Sequence, residues 1–338
     1  MSSPSGKKKT KNLVWFLVKA VVSLSILWYL FSRTDITSVY RSLLSADLLW
    51  LSLAFFMLYI GKGITAYRWQ GLLAAQDLKI PFRTLLGSIF VGQFFNSFLP
   101  TTVGGDVVRA YDTANQSNES IKSAMSVFTD RLIGVFALAL LAFLALVSGY
   151  LGGVEVSFYI LPVLAVFAIC SFGMLMIYFD GLVILVDRSL TRLRLNKLAV
   201  QLRKAYQSLR ILKEKPKALI VALAFSILLQ VNVVLFYYFI GLSLDLGVQL
   251  LYFWMIVPIA LIVVLVPFSI NGIGIREGIF VFLLTGLGVV SKDAIALSLI
   301  SFGLILTQGL VGGVIFALRG VNLSNRKEQG TIPQEPIK

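Results

Sequence analysis

The 338 residues contain no histidine and a single cysteine, Cys170. One cysteine excludes an internal disulfide framework and a cysteine-based metal site. Without histidine the chain lacks the commonest general base and the commonest metal ligand. No G-x-x-x-x-G-K-[ST] pattern occurs, so there is no phosphate loop for ATP. These absences argue against a hydrolase triad, a metal centre and a bound cofactor. Charged residues are also scarce, at 14%, while 58% are hydrophobic. What fills the chain instead is a succession of apolar runs, and ~20 apolar residues cross a bilayer. The composition predicts an all-α polytopic membrane protein.

The net charge is +14, and the basic residues gather in short segments between and beside the apolar runs. That distribution indicates loops retained in the cytoplasm and attraction to anionic lipid, with no nucleic-acid partner implied. Residues 1–11 form a basic stretch expected in the cytoplasm and followed by an uncleaved anchor helix. The segment 180–217 is rich in Lys and Arg, and Arg319, Arg326 and Lys327 follow the last run, so the C-terminus is expected there too. The connections 149–157 and 242–249 carry no Lys or Arg and are expected outside. The chain is thus expected to be multi-pass in the cell membrane, with both termini cytoplasmic.

Six spans are predicted at about 12–32, 48–67, 122–149, 157–179, 218–241 and 293–318. Counting crossings between the charged ends leaves 83–100 and 251–290 unable to be single crossings. Each is expected to enter the membrane and return. The turns are "LPTTVGGD" (99–106) and "PFSINGIGIRE" (267–277), where Pro100 and Pro267 end helices and Gly104, Gly105, Gly272 and Gly274 permit the turn. Irregular backbone at membrane depth is tolerated where protein or a water-filled cavity surrounds it. The alternative is a pair of interfacial loops between ordinary spans.

The two turns match. Pro100 is followed at plus five by Gly105 and at plus nine by Arg109; Pro267 is followed likewise by Gly272 and Arg276. Asn96 precedes the first turn and Asn271 lies in the second. The pattern predicts two halves, about 12–150 and 157–320, as an inverted repeat, a construction that transporters use to build a substrate site. Convergent use of Gly and Pro is the other reading. Outside the spans, residues 35–50 read as an interfacial elbow with Asp35 as N-cap and Ile36, Val39, Tyr40, Leu43 and Leu44 on one apolar face, and 198–212 as an amphipathic helix lying on anionic lipid or packed on the spans. Residues 321–338 read as a polar, disordered tail.

Charges within spans are costly and usually face a partner or a cavity. Arg109 and Arg276 are expected near the start of returning helices, where free N–H groups and the guanidinium fork suit a phosphate. Snorkelling, or pairing with Asp106 or Glu277, is the alternative. Asp130 and Arg131 are adjacent and so need separate partners; snorkelling to the cytoplasmic face would serve Arg131, whereas Asp130 is too short to snorkel. Gln230, Asn232 and Gln308 are expected to bond between helices, and Lys19 and Lys62 to snorkel.

The motifs "GQFFNSFLPTTVGGDVVRA" (92–110), "TDRL" (129–132) and "PFSINGIGIREG" (267–278) resemble the lysylphosphatidylglycerol synthase transmembrane-region family, also called flippase-like. The resemblance covers roughly residues 12–320. It implies a polar core at Asn96, Pro100, Gly105, Asp106, Arg109, Asp130, Arg131, Gly272, Gly274 and Glu277. The family often has Glu where this chain has Asp130. The chain ends without the aminoacyl-transferase domain of the family's resistance factor, so the resemblance implies the flippase half alone. The function implied is movement of a polar or glycosylated lipid, with an anionic or sugar-phosphate headgroup as partner. A membrane enzyme using Asp106, Asp130 or Glu277 as acid or base, or an accessory partner of a separate synthase, are the alternatives. Self-association is left open.

Overall fold

The computed structural model describes residues 28, 32, 36–98, 104–152, 157–192, 200, 203, 206, 213–265 and 272–328. The expected first span, the tips at Pro100, Pro267 and Asn271, and most of 198–212 lie outside them. The described residues form helices with no strand among them. In chain order these are α1 (Ile36–Leu44), α2 (Leu48–Ala75), α3 (Phe82–Phe98), α4 (Gly104–Ser117), α5 (Ser120–Leu151) and α6 (Ser157–Tyr178). There follow α7 (Asp180–Arg192), α8 (Pro216–Ser243), α9 (Leu250–Leu265), α10 (Ile275–Thr285) and α11 (Ser291–Glu328). Four helices are long and apolar enough to cross a membrane: α2, α5, α8 and the Ser291–Arg319 part of α11. Val163–Leu175 and α7, bent by 110°, would together make a fifth.

Both interrupted runs are helix pairs. Helices α3 and α4 lie antiparallel: Ser88 donates to Asp112 Oδ2 at 2.7 Å, and the Gly105 N–H donates to Asn96 Oδ1 at 2.8 Å. Helices α9 and α10 also pack on each other, with Gly272 against Val264. The end of α3 reaches the middle of α2, where Lys62, fifteenth of its 28 residues, donates to Gln93 Oε1 at 2.7 Å. Helix α3 then leans on α11, and α9 on α5. Helices α2 and α8 run antiparallel through the centre. Trp50 stacks on Phe239 at one end, Tyr67 lies 5.0 Å from Phe225 further along, and the Asp47 N–H donates to Ser243 O at 2.8 Å. The largest buried apolar cluster surrounds α8, α9 and α10, with Phe253 and Phe280 fully enclosed.

Several expectations are corrected. Helix α2 does not end near Arg68 but continues to Ala75, because Arg68 is buried among partners and Trp69, Leu72 and Leu73 pack inside. Lys62 is not near a helix end and does not snorkel; it bonds across the interior. Gly104 and Gly105 are helical rather than turn residues. A Cβ on Gly105 would strike the Gly92 carbonyl, so this glycine serves close helix approach. Gly272 and Gly274, at φ 78° and 85°, do adopt the left-handed turn. Helix α11 runs to Glu328, through residues expected to be tail; no Pro or Gly interrupts 321–328. Helix α1 packs Val39 and Leu43 on Ile295 and Ala296 of α11, while Tyr40 and Leu44 of the expected apolar face stay exposed.

The three span amides behave as expected. Gln308 donates to Leu58 O at 2.7 Å, Gln230 to Gly134 O at 3.4 Å, and Asn232 meets Met57 Sδ at 3.3 Å.

Candidate functional site

Asp130 sits on the inner face of α5 and is 1% exposed. A buried carboxylate needs cationic partners. It has two: Arg68 Nε donates to Oδ1 at 2.7 Å and Arg109 Nη2 to Oδ2 at 2.8 Å. Arg68 also donates to Ser226 Oγ of α8 at 2.8 Å, and the Arg109 guanidinium lies 4.1 Å above the Trp69 ring. Its neighbour Arg131, one helical step round α5, pairs instead with Asp106, which also lies 3.6 Å from Arg109. The result is a ladder of alternating charge, Arg68–Asp130–Arg109–Asp106–Arg131, tying α2, α4, α5 and α8 together. The prediction of separate partners for Asp130 and Arg131 holds, as does an Asp106–Arg109 pair.

The second hairpin is simpler. Glu277 Oε2 accepts the Gly274 N–H at 2.5 Å and thus caps α10, while Oε1 takes Arg276 at 3.1 Å and Ser298 at 3.3 Å. The Arg276 guanidinium lies 4.9 Å from the Phe302 ring. Asn96 plays the corresponding part in the first hairpin, its amide oxygen holding an N–H of the α4 start.

Between the hairpins is a cavity of about 530 Å3. Three cations reach its lining from three helices: Lys62 of α2, Arg131 of α5 and Arg276 of α10. Gln93, Ser97 and Gln308 add neutral polar groups. No carboxylate lines it among the described residues, since Asp106 and Glu277 stand behind the arginines they bond. The Arg131 side chain, 43% exposed, reaches the cavity, whereas Arg109 stays enclosed at 11%. Of the predicted residues, Arg131 and Arg276 therefore meet in the cavity with Gly272. Asn96, Asp106, Arg109, Asp130 and Glu277 lie in the surrounding framework.

Lys62 and Arg68 are the residues that sequence reasoning missed. Their signal was present in "YIGKGITAYRWQG" (59–71), two cations six apart within one apolar run. A surface span can explain either by its distance from a helix end, and only the true length of α2 removes that explanation.

An all-helical chain with several membrane-crossing helices, two broken-helix pairs and a polar interior is a polytopic membrane protein. Residues 16–312 match the lysylphosphatidylglycerol synthase TM region family, and the chain belongs to that family. It is 22% identical to the UPF0104 membrane protein PH1989 of Pyrococcus horikoshii, over 94% of this chain and 98% of that one. It is 24% identical to a UPF0104 membrane protein of Methanothermobacter thermautotrophicus, over 87% of this chain and 92% of its relative.

Proposed function

We propose that the protein moves a lipid with an anionic headgroup across the bilayer, as a flippase without its own nucleotide site. The observation that carries this reading is the convergence of Lys62, Arg131 and Arg276 on one cavity, with every nearby carboxylate set behind an arginine. The ladder and the Arg276–Glu277 pair, with Lys62, hold five cations and three carboxylates. An excess of two positive charges favours an anion. Arg131, Arg276 and Lys62 contact the headgroup in this reading; Asp106, Arg109, Asp130, Asn96 and Glu277 hold them in place. Asp130, locked between two arginines, is poorly placed as an acid or base.

The architecture we infer is six spans and two hairpins in an inverted repeat, in the cell membrane, with the basic segments cytoplasmic. Element order supports the repeat: α2, α3, α4 and α5 recur as α8, α9, α10 and α11. Leu48 and Pro216 start the first pair 168 positions apart, Phe82 and Leu250 start the next at the same interval, and Ser120 and Ser291 start the last at 171.

The test is translocation of a fluorescent phosphatidylglycerol in reconstituted vesicles. Losing a charged hydrogen bond costs ~1.5–3 kcal/mol, tenfold or more. Lys62→Gln and Arg131→Gln should each slow the anionic lipid about tenfold and a phosphatidylcholine analogue far less. Wild-type rates in both variants, or no transport above protein-free vesicles, would sink the proposal.

Topology has its own check. On a Cys170→Ala background, cysteine at exposed Asn115 should react from the side of the N-terminus, and cysteine at Tyr150 from the other. Labelling of Asn115 from the side opposite the N-terminus would remove the first re-entrant hairpin.

A further inference from the structure

The cavity lining follows the proposed repeat closely enough to compare its two walls. At the 168-residue interval Gly61 is the mate of Leu229, and the two touch: a Cβ on Gly61 would lie 3.4 Å from Leu229 Cδ1. In the proposed repeat a pseudo-twofold axis passes between them. Applying the same interval, Lys62 mates with Gln230, Thr65 with Val233, Gln93 with Leu261 and Ser97 with Leu265. At the 171 interval of the last helices, Arg131 mates with Phe302. Both members of every one of these pairs line the cavity. Placement is symmetric but chemistry is not. In each pair the first-half residue is the more polar, and in four of the five just named its mate is apolar, as Leu229 also is.

Charge divides the same way. Lys62 and the ladder, all first-half, carry four cations against two carboxylates, whereas Arg276 in the second half is matched by Glu277. The amides of both halves are occupied, Gln93 by Lys62 and Ser97, Asn232 by Met57 and Gln308 by Leu58 O. At roughly 30 Å3 per water-sized group the cavity holds about 18 such groups, enough for a headgroup and the first carbons of its chains.

Resting on the transport reading, we infer that the cavity is a two-walled site for an amphiphile. The first-half wall, with Lys62, Gln93 and Arg131, takes a phosphodiester headgroup and its hydroxyls. The second-half wall, with Leu261, Leu265 and Phe302, takes the apolar atoms joined to it, and Arg276 is its one cation on the headgroup side. A free headgroup fills only one wall and leaves the other facing water. The substrate class is therefore a lipid rather than a soluble phosphate ester. A headgroup that adds a cation is opposed by the unmatched positive charge.

The probes are lysophosphatidylglycerol, lysophosphatidylcholine and glycerol 3-phosphate, with binding to the detergent-solubilised protein read by native mass spectrometry. The wild type should bind lysophosphatidylglycerol at least tenfold more tightly than lysophosphatidylcholine, and glycerol 3-phosphate at least a hundredfold more weakly. Lys62→Gln, which installs the mate's residue, should erase the preference between the two lipids. Leu261→Gln should weaken both lipids by a similar factor, about fivefold, and leave the preference intact. Leu265→Ser should repeat that result by an independent change. Tight binding of glycerol 3-phosphate would mean that the headgroup alone supplies the affinity, with no part for the second-half wall, and would overturn the inference. So would a loss of headgroup preference in Leu261→Gln and Leu265→Ser. Those outcomes leave anionic-lipid transport standing, whereas failure of the wild type to bind either lipid would overturn both.

Discussion

Asp130→Asn is expected to cost the protein about 3–5 kcal/mol of stability, because it leaves Arg68 and Arg109 buried with half their charge unmatched. The loss should appear as a steeply lowered unfolding midpoint in detergent and reduced insertion of full-length protein. Asp130→Glu keeps the charge with one extra methylene in a packed site, for which about 1–3 kcal/mol is expected. The decisive variant removes the whole group. Arg68→Met, Asp130→Leu and Arg109→Leu together leave no buried charge among the three and should recover most of the stability lost in Asp130→Asn. That triple variant should nevertheless slow transport, because Asp106, which holds Arg131, loses its own contact with Arg109. A single Asp130→Asn protein as stable as the wild type would mean that the ladder does not hold these helices.

Gly312→Ala is the second large effect. A Cβ at Gly312 would fall on the Phe90 carbonyl oxygen, and the backbone cannot rotate away as a side chain would. Helices α3 and α11 must part, and overpacking of this kind costs roughly 1–3 kcal/mol or more. Because α3 carries Gln93 and Ser97 into the cavity, transport should fall along with stability. The control is on the same helix. Nothing lies within 4 Å of a Cβ at Gly303, so Gly303→Ala should be neutral or stabilise by up to about 1 kcal/mol through helix propensity. Equal behaviour of the two alanine variants in thermal unfolding would contradict the packing of α3 on α11.

The membrane class, the two interrupted runs and the turn at Gly272 and Gly274 were legible because they depend on hydropathy and on Pro and Gly. Those are local signals. The amides Gln230, Asn232 and Gln308 were also legible, since a polar group within an apolar run has few options. What was not legible depends on which helices meet. Arg68 looks like the end of a span until Asp130 and Ser226 are seen beside it. Arg109 looks like a phosphate ligand by its distance from Pro100, yet its guanidinium is committed to Asp130, and Arg131 occupies the cavity in its place. Gly105 has the composition of a turn residue but acts as a contact surface, because Gly92 lies across the hairpin from it.

The pairing of α3 with α11 also sets an order of events. Helix α3 is complete at Phe98, but the glycine face that receives it begins at Gly309, and Arg319, whose Nη1 donates to Asp112 at 2.7 Å, comes later still. At ~5–20 residues per second a ribosome needs about 10–40 seconds to cover that interval. Throughout it the emerging chain must shelter Gly87, Phe90 and Phe94 without their native partner. The first hairpin inserted is thus among the last to be locked, and a nascent chain halted before α11 would carry it unfinished to the quality-control proteases.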